Sequence, residues 1–330
     1  MNYSHGLRLG VGLLCASLLT TACHGARSDV VPTGPTPLAA GAGQDQRATG
    51  ATSPATPVPD PAGPPPIVGS GTAVLVGAGD VGWCGSPGVA ATARLIDAIP
   101  GQVFLPGDLA YMHGAADDYR RCFDPEWGRF RTRWRPTPGN HEYESAGASP
   151  YFDYFGDAAG PRGLGYYGFR AATWHVLMLI SNAPMNKGTA QYDCVQRELQ
   201  QNRTRCTAAM WHHPFASSGP NGPNGSVRDM WELLTDNGVE VVVNGHDHLY
   251  ERFAPQDQDY RYTARGIREF IVGTGGAPLY HPVTRAPNTE AVVEAHGALR
   301  LVLQPTTYGW EFIEASTSRV IDSGSDDVCH

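Results

Sequence analysis

His246 and His248 stand one residue apart, directly after the run Val239-Glu240-Val241-Val242-Val243-Asn244-Gly245. Neutral imidazole is the commonest side-chain ligand for zinc and iron, and a His-x-His pair can serve one ion or two neighbouring ions. The pair alone describes surface or core histidines equally well, so its weight depends on what converges on it. Four other short apolar or extended segments end in residues of the same kind: Asp80, then Asp108 with Tyr111, then Asn140 with His141, then His212 with His213. Carboxylate, phenol, amide and imidazole in this number exceed the needs of one tetrahedral ion. Two ions sharing a carboxylate would use them all.

These residues can meet only if the segments in front of them are strands. In open α/β sheets, sites form beyond the carboxyl ends of the strands, so ligands far apart in sequence gather there. Apolar and β-branched patterning predicts strands at Thr72–Val76, Gln102–Leu105, Thr207–Met210 and Val239–Val243, and Gly245 lets the last one turn sharply. Helical spacing predicts helices near Gly88–Ile99, Gln191–Gln200 and Asp229–Thr235. A hairpin is expected from Gly165–Phe169 and Thr173–Ile180, with His175 structural inside it. Pro136 and Pro138 exclude regular helix, which leaves Asn140 and His141 on a loop. Arg268–Gly276, Leu299–Leu303 and Tyr308–Ala315 read as strands of a second sheet. The Gly77-x-Gly79-Asp80-x-Gly82 spacing lacks the third glycine opening a helix, which argues against a dinucleotide loop.

In order, Gly79-Asp80-x-Gly82, Gly107-Asp108-x-x-Tyr111, Gly139-Asn140-His141-Glu142, His212-x-Pro214 and Gly245-His246-x-His248 resemble the motifs of calcineurin-like metallophosphoesterases. Tyr111 narrows the resemblance to purple-acid-phosphatase-like members, and the stretch from Gly266 to His330 looks like secreted bacterial ones. The resemblance implies an α/β fold of mixed sheets, the four-layer αββα sandwich, with two metal ions per chain. One, usually Fe(III), would be held by Asp80, Tyr111 and His248. The other, Zn, Fe(II) or Mn, would be held by Asn140, His212 and His246, with Asp108 bridging both. Many members carry histidine two residues after the first aspartate; Gly82 stands there instead, and the phenolate of Tyr111 would replace it as a hard ligand favouring Fe(III). The ions would lower the pKa of a bound water, whose hydroxide attacks phosphorus in line. His141 would protonate the departing alkoxide, and His213 would either face the phosphate or pack. Tyr250-Glu251-Arg252 would orient the histidine pair or form a salt-bridged edge. Phosphomonoesters are the expected small-molecule substrates. A diesterase or nucleotide hydrolase of the same fold is the alternative, followed by an envelope protein that captures metal or phosphate without turnover.

The 330-residue chain carries a net charge of −8 and no long Lys/Arg cluster, which argues against a nucleic-acid partner. Residues 1–22, with Arg8 followed by an apolar run, read as a signal peptide. Leu19-Thr20-Thr21-Ala22-Cys23 resembles a lipoprotein cleavage site, so Cys23 is the candidate lipid attachment point and the only expected link to a membrane; ordinary cleavage near Ala26 is the alternative. Residues 23–71, rich in Pro, Gly, Ala, Ser and Thr, cannot bury a core and read as linker, leaving residues 72–330 as the catalytic domain. Export to the cell envelope or medium permits disulfides, and the expected pairs are Cys84–Cys122 and Cys194–Cys206, with Cys329 left over. Reduced core cysteines are the alternative.

Overall fold

A computed structural model describes residues 71–330. The signal-peptide and linker assignments and Cys23 lie outside the described residues, apart from Gly71. The strands are β1 (Ala73–Gly77), β2 (Gln102–Pro106), β3 (Trp134–Thr137), β4 (Tyr167–Ala171), β5 (Trp174–Met178), β6 (Thr207–Met210), β7 (Val241–Asn244), β8 (Tyr250–Phe253), β9 (Arg268–Val272), β10 (Thr289–Val293), β11 (Gly297–Leu303), β12 (Thr307–Glu314) and β13 (Val320–Val328). They form a six-stranded sheet, ordered β13-β12-β11-β1-β2-β3, and a seven-stranded sheet, ordered β10-β8-β9-β7-β6-β5-β4.

Side-chain alternation along the strands builds the layers. Leu75, Phe104, Val176, Met210, Val241, Val243, Phe270, Leu301 and Trp310 point between the sheets into one shared core. Val76, Val103 and Leu105 face the other way, onto Ala93 and Ile96 of the helix Pro87–Asp97 and onto Phe123 and Trp127. Ala209 and Val242 face outward on the second sheet, against Val195 and Leu199 of the helix Ala190–Gln201 and Met230, Trp231 and Leu234 of the helix Arg228–Asp236. Four layers follow, helix, sheet, sheet, helix. The first helix starts where Ser86 accepts from the Gly88 amide (3.2 Å) ahead of Pro87.

The parallel ladders β1/β2/β3 and β5/β6/β7/β9 bring the ends of β1, β2, β3, β6 and β7 to one edge of the sandwich. The expected hairpin is the antiparallel pair β4/β5, and His175 is buried there 3.2 Å from Glu198, in the structural role expected.

Three expectations are corrected and one open alternative is decided. Arg268–Val272 does not join a separate sheet from the histidine-bearing strand; it lies beside β7 and parallel to it, while β11 and β12 extend the sheet of β1. Asn140–Tyr143 is a single helical turn rather than a loop, because the prolines restrict only the residues before it. Of the two roles left open for Tyr250-Glu251-Arg252, the salt-bridged one is observed: Arg252 pairs with Asp322 (2.7 Å) and Glu290, and Tyr250 bonds Asp322 of β13 (2.6 Å), which joins the two sheets. Cys84–Cys122 forms as expected, but Cys206 pairs with Cys329 and not with Cys194. Cys194 and Cys206 sit at opposite ends of a helix and its exit loop, whereas Cys329, after β13, is carried back to the start of β6.

Peptide mapping without reduction should therefore recover Cys206 joined to Cys329 and never to Cys194. That bond closes a separation of 123 residues, so Cys329→Ser should cost about 2–5 kcal/mol in denaturant unfolding.

Candidate active site

The expected ligands sit past strand ends, and three of the seven adopt a left-handed backbone that strand residues avoid. Asp80, Asp108 and His246 have φ of 58°, 52° and 72°. A left-handed non-glycine residue costs on the order of 1–3 kcal/mol and persists only where its surroundings over-determine it. Here the surroundings are hydrogen bonds. The His246 amide donates to Asp80 Oδ2 (2.9 Å) and the His141 amide to Asp108 Oδ1 (3.0 Å). The approach of the loops also needs glycine at two points: a Cβ on Gly107 would stand 2.4 Å from the His212 ring, and one on Gly139 would stand 2.2 Å from Asp108 Oδ1.

The side chains form two clusters joined by Asp108. In the first, Tyr111 OH lies 3.0 Å from Asp80 Oδ1 and 3.1 Å from His248 Nε2, and His248 Nε2 lies 3.3 Å from Asp80 Oδ1. In the second, His212 Nε2 lies 3.1 Å from Asn140 Oδ1 and 3.2 Å from His246 Nδ1. Asp108 Oδ2 touches both, 3.3 Å from Tyr111 OH and 3.1 Å from His212 Nε2. All seven expected ligands thus come together. His141 lies at the margin, with Nε2 3.8 Å from Asp108 Oδ2. His213 adds an imidazole to the second cluster, its ring 4.3 Å from that of His246, and Ser181 Oγ holds its Nδ1 at 2.7 Å. His113 and His281 are exposed partners of Glu144 and Glu294 and take no part, and His296 bonds the Ala277 carbonyl.

Backbone carbonyls set the histidine tautomers. Nδ1 of His212 donates to the Pro106 carbonyl (2.9 Å), Nδ1 of His248 to that of Pro278 (2.8 Å), and Nδ1 of His141 to that of Met112. In each case Nε2 is turned toward the cluster, the arrangement that orients a ligating imidazole.

Electrostatics fit a cation. Asp80 and Asp108 are 0% and 2% exposed, and among the described residues their ion-pair partners are histidines. Burial would raise the Asp108 carboxyl, but the charge and hydrogen bond of His212 outweigh it and hold it below the usual carboxylate range. Burial opposes the His212 imidazolium, yet Asp108 raises it to about 9. Burial, with His212 beside them, lowers His246 to about 2 and His213 to about 3, so both stay neutral with a lone pair to offer. Burial and then Asp80 and Asp108 push Tyr111 well up, so without a cation it remains a phenol. Two buried carboxylates, a phenol, an amide oxygen and neutral imidazoles on facing loops make a mixed O/N donor set suited to metal ions. The groups Asp80, Asp108, His212 and His212, His213, His246 each place ligand atoms within 4.8 Å of one another.

Glu142, the last residue of the Gly139-Asn140-His141-Glu142 motif, has a task that its position in sequence does not reveal. It is fully buried and accepts from the amides of Asp108 (3.0 Å), Leu109 (2.8 Å), Ala110 (3.2 Å) and Gly139 (2.7 Å), shaping the loop that carries Asp108. Burial, then the charge of Asp108, raises it to about 7. An acid three residues after Gly139, at the third position of a helical turn, was the available signal. Asp247, between the two histidines, was also passed over. It is fully buried and accepts from the Ser217 hydroxyl and the Asn221 amide (3.0 Å).

Residues 74–250, just over half of the chain, match the family model of the calcineurin-like phosphoesterases. The chain is 27% identical over 221 residues to purple acid phosphatase 15 of Arabidopsis thaliana, covering 56% of this chain and 41% of that protein. Purple acid phosphatase 21 of the same plant is 32% identical over 190 residues, covering 50% and 42%. This chain thus spans about two-fifths of the length of either relative. A purple acid phosphatase from yellow lupin (Lupinus luteus) seeds superposes with a TM-score of 0.70 at 19% identity, over 80% of this chain and 55% of that one, and shares the fold.

The raised His212 has a measurable consequence. Its pairing with Asp108 stabilises the metal-free fold fully below its ordinary value of 6.5, and the contribution is lost as pH rises through about 9. The Tm of chelator-treated protein should fall across that window, and His212→Asn should flatten the fall. Because an ion must displace the same proton, a divalent metal should raise Tm more at pH 9 than at pH 6.5.

Proposed function

We propose that this chain, which belongs to the calcineurin-like phosphoesterase family, is an exported hydrolase of phosphate monoesters that works with two metal ions. The observation that carries this reading is the place of Asp108, a buried carboxylate in contact with Tyr111 on one side and His212 on the other. Asp80, Tyr111 and His248 would hold one ion and Asn140, His212 and His246 the other, with Asp108 common to both. The phenol and carboxylate oxygens of the first set suit Fe(III); the softer, neutral second set suits Zn, Fe(II) or Mn. When bound, the ions supply charge stabilisation for the phosphate and a hydroxide nucleophile near neutral pH.

The chain's own residues supply the rest. The carbonyl-fixed tautomers keep Nε2 of His212 and His248 aimed inward. His141 keeps its Nδ1 proton on the Met112 carbonyl, so Nε2 is the atom that gives a proton to the leaving oxygen. His213, held neutral beside the second cluster and braced by Ser181, donates to a phosphate oxygen. The purple acid phosphatase relatives support the monoester preference. The disulfides Cys84–Cys122 and Cys206–Cys329 support work outside the reducing cytoplasm, and the Leu19–Cys23 sequence pattern supports Cys23 as the lipid attachment point.

Turnover of a nitrophenyl phosphate by the metal-loaded chain tests the reading, and a chain that binds both metals without turnover would overturn it. His141→Ala should lose about 10²–10⁴-fold on an alkyl phosphate, whose alkoxide needs a proton, and much less on nitrophenyl phosphate. Equal losses with metals retained would assign His141 to positioning instead. If Tyr111 binds Fe(III), the oxidised protein should show a broad visible phenolate-to-iron band, and Tyr111→Phe should abolish it.

A further inference from the structure

We propose that residues 273–280, the loop that follows β9, position the first metal site, and that Tyr280 is the residue that fixes the tilt of the His248 ring. The inference rests on the two-metal reading above and gives a role to residues outside its ligand set.

The loop leaves β9, which lies parallel to β7, and so emerges at the same edge as the histidine pair. It runs beside the turn that carries Asp80. The Gly79 amide donates to the Val272 carbonyl, the Gly275 amide to the Gly79 carbonyl and the Ala277 amide to the Asp80 carbonyl, each at 2.9 Å. Glycine permits this approach, since a Cβ on Gly273 would stand 2.2 Å from the Asp247 carbonyl oxygen and 2.9 Å from Asp80 Oδ2. The other side of the loop is tied to the start of β11, in the other sheet. The Thr274 hydroxyl donates to the Gly297 carbonyl (2.8 Å), the Gly297 amide donates back to the Thr274 carbonyl (3.2 Å), and His296 Nε2 donates to the Ala277 carbonyl (2.9 Å). Both sheets therefore hold the loop in place.

Its last three residues grip His248. The imidazole Nδ1 donates to the Pro278 carbonyl (2.8 Å), and the Tyr280 amide donates to the His248 carbonyl (2.8 Å). The Tyr280 ring stacks on the imidazole, with centroids 4.1 Å apart and planes inclined by 14°. The Pro278 bond fixes where Nδ1 lies but leaves the ring free to tilt about the donor–acceptor line. A nearly parallel ring in contact removes that freedom. Tyr111 meets the imidazole edge-on, at 82°, with its hydroxyl 3.1 Å from Nε2. His248 Nε2 is thus held toward Asp80 and Tyr111, the other donors of the first set. The grip falls on Asp80, His248 and the residues beside them, whereas His246 has the His212 and His213 rings as its neighbours. The loop therefore acts on one ion and not on the other.

Chelator titration of the iron- and zinc-loaded chain, with both metals quantified, tests this without reference to turnover. Tyr280→Ala should weaken retention of the iron by about 10–100-fold, the usual effect of losing a group that orients a ligand, and leave the zinc near wild type. The phenolate-to-iron band should fade with it, which identifies the lost ion as the one beside Tyr111. Tyr280→Phe keeps the stack and should restore retention. Tyr280→Leu keeps apolar bulk without a planar face and should behave like Tyr280→Ala, so it carries the test if the alanine variant does not fold; the Tm of the chelator-treated chain is the control. Equal weakening of both ions, weakening of neither, or loss of the zinc instead would overturn the inference. A wild-type chain that retains a single ion would overturn the two-metal reading, and the grip would then stand only if Tyr280→Ala weakens that ion and Tyr280→Phe restores it. Retention of neither metal by the wild-type chain would overturn both. Selective loss of the iron in a chain that turns over no ester would keep the grip and overturn the hydrolase reading.

Discussion

The arrangement depends on placing one buried carboxylate, Asp108, between two sets of donors. A carboxylate that is 2% exposed is costly unless its charge is met by opposite charge or hydrogen bonds. Here His212 and the His141 amide meet it from one side and Tyr111 from the other. The left-handed backbone at Asp108 turns its side chain inward, while the three successive amides from Asp108 to Ala110 converge on Glu142. The absent side chains at Gly107 and Gly139 let the His212 and Asn140 loops close on it. The five strand-end loops are thus mutually constrained through contacts of a few side chains.

A second layer of buried acids holds the segment after His213 in the same manner. Glu269 of β9 accepts from the amides of Phe215 (2.7 Å) and Ala216 (3.1 Å), Glu251 of β8 from the Ser218 amide (2.8 Å) and hydroxyl (2.6 Å), and Asp247 from the Asn221 amide (3.0 Å). Burial raises all three acids above their usual range. Three acids on consecutive elements of one sheet thus satisfy the amides of one irregular segment, which water would otherwise have to reach. The segment that leaves the second cluster is consequently as well tied as a strand, and the Asn221 side chain, donating to the His246 carbonyl (3.0 Å), returns the constraint to the site.

What was legible in the sequence follows from this geometry. Asp80, Asp108, Asn140, His212, His246 and His248 could be read because each stands where an apolar run stops, and the strand-end rule applies to each separately. Sheet membership was harder. Arg268–Val272 and Leu299–Leu303 are both apolar runs buried on both faces or nearly so, and nothing in such a run says which neighbour it pairs with. β10 and β13 went unseen because they are edge strands with much polar, exposed sequence. Glu142, Asp247, Glu251 and Glu269 gave little signal, since an isolated acid in sequence reads as solvated surface until its burial is known. The Cys206–Cys329 bond joins positions that only the return of β13 brings together.

The same contacts bear on why the site and the fold are coupled. Three left-handed residues, Asp80, Asp108 and His246, store backbone strain of about 1–3 kcal/mol each. Burial adds a further cost for the carboxylates and for a Tyr111 that cannot ionise beside them. The hydrogen bonds from His246 to Asp80 and from His141 to Asp108 hold the strained turns, but they leave the negative charge of the pocket compensated chiefly by the His212 imidazolium. Cations placed among the donors would relieve the repulsion, let Tyr111 lose its proton and free His212 of its own. Metal binding then draws on the same energy that keeps the loops in place, so the geometry that prepares the site for ions is also the part of the fold that gains most from holding them.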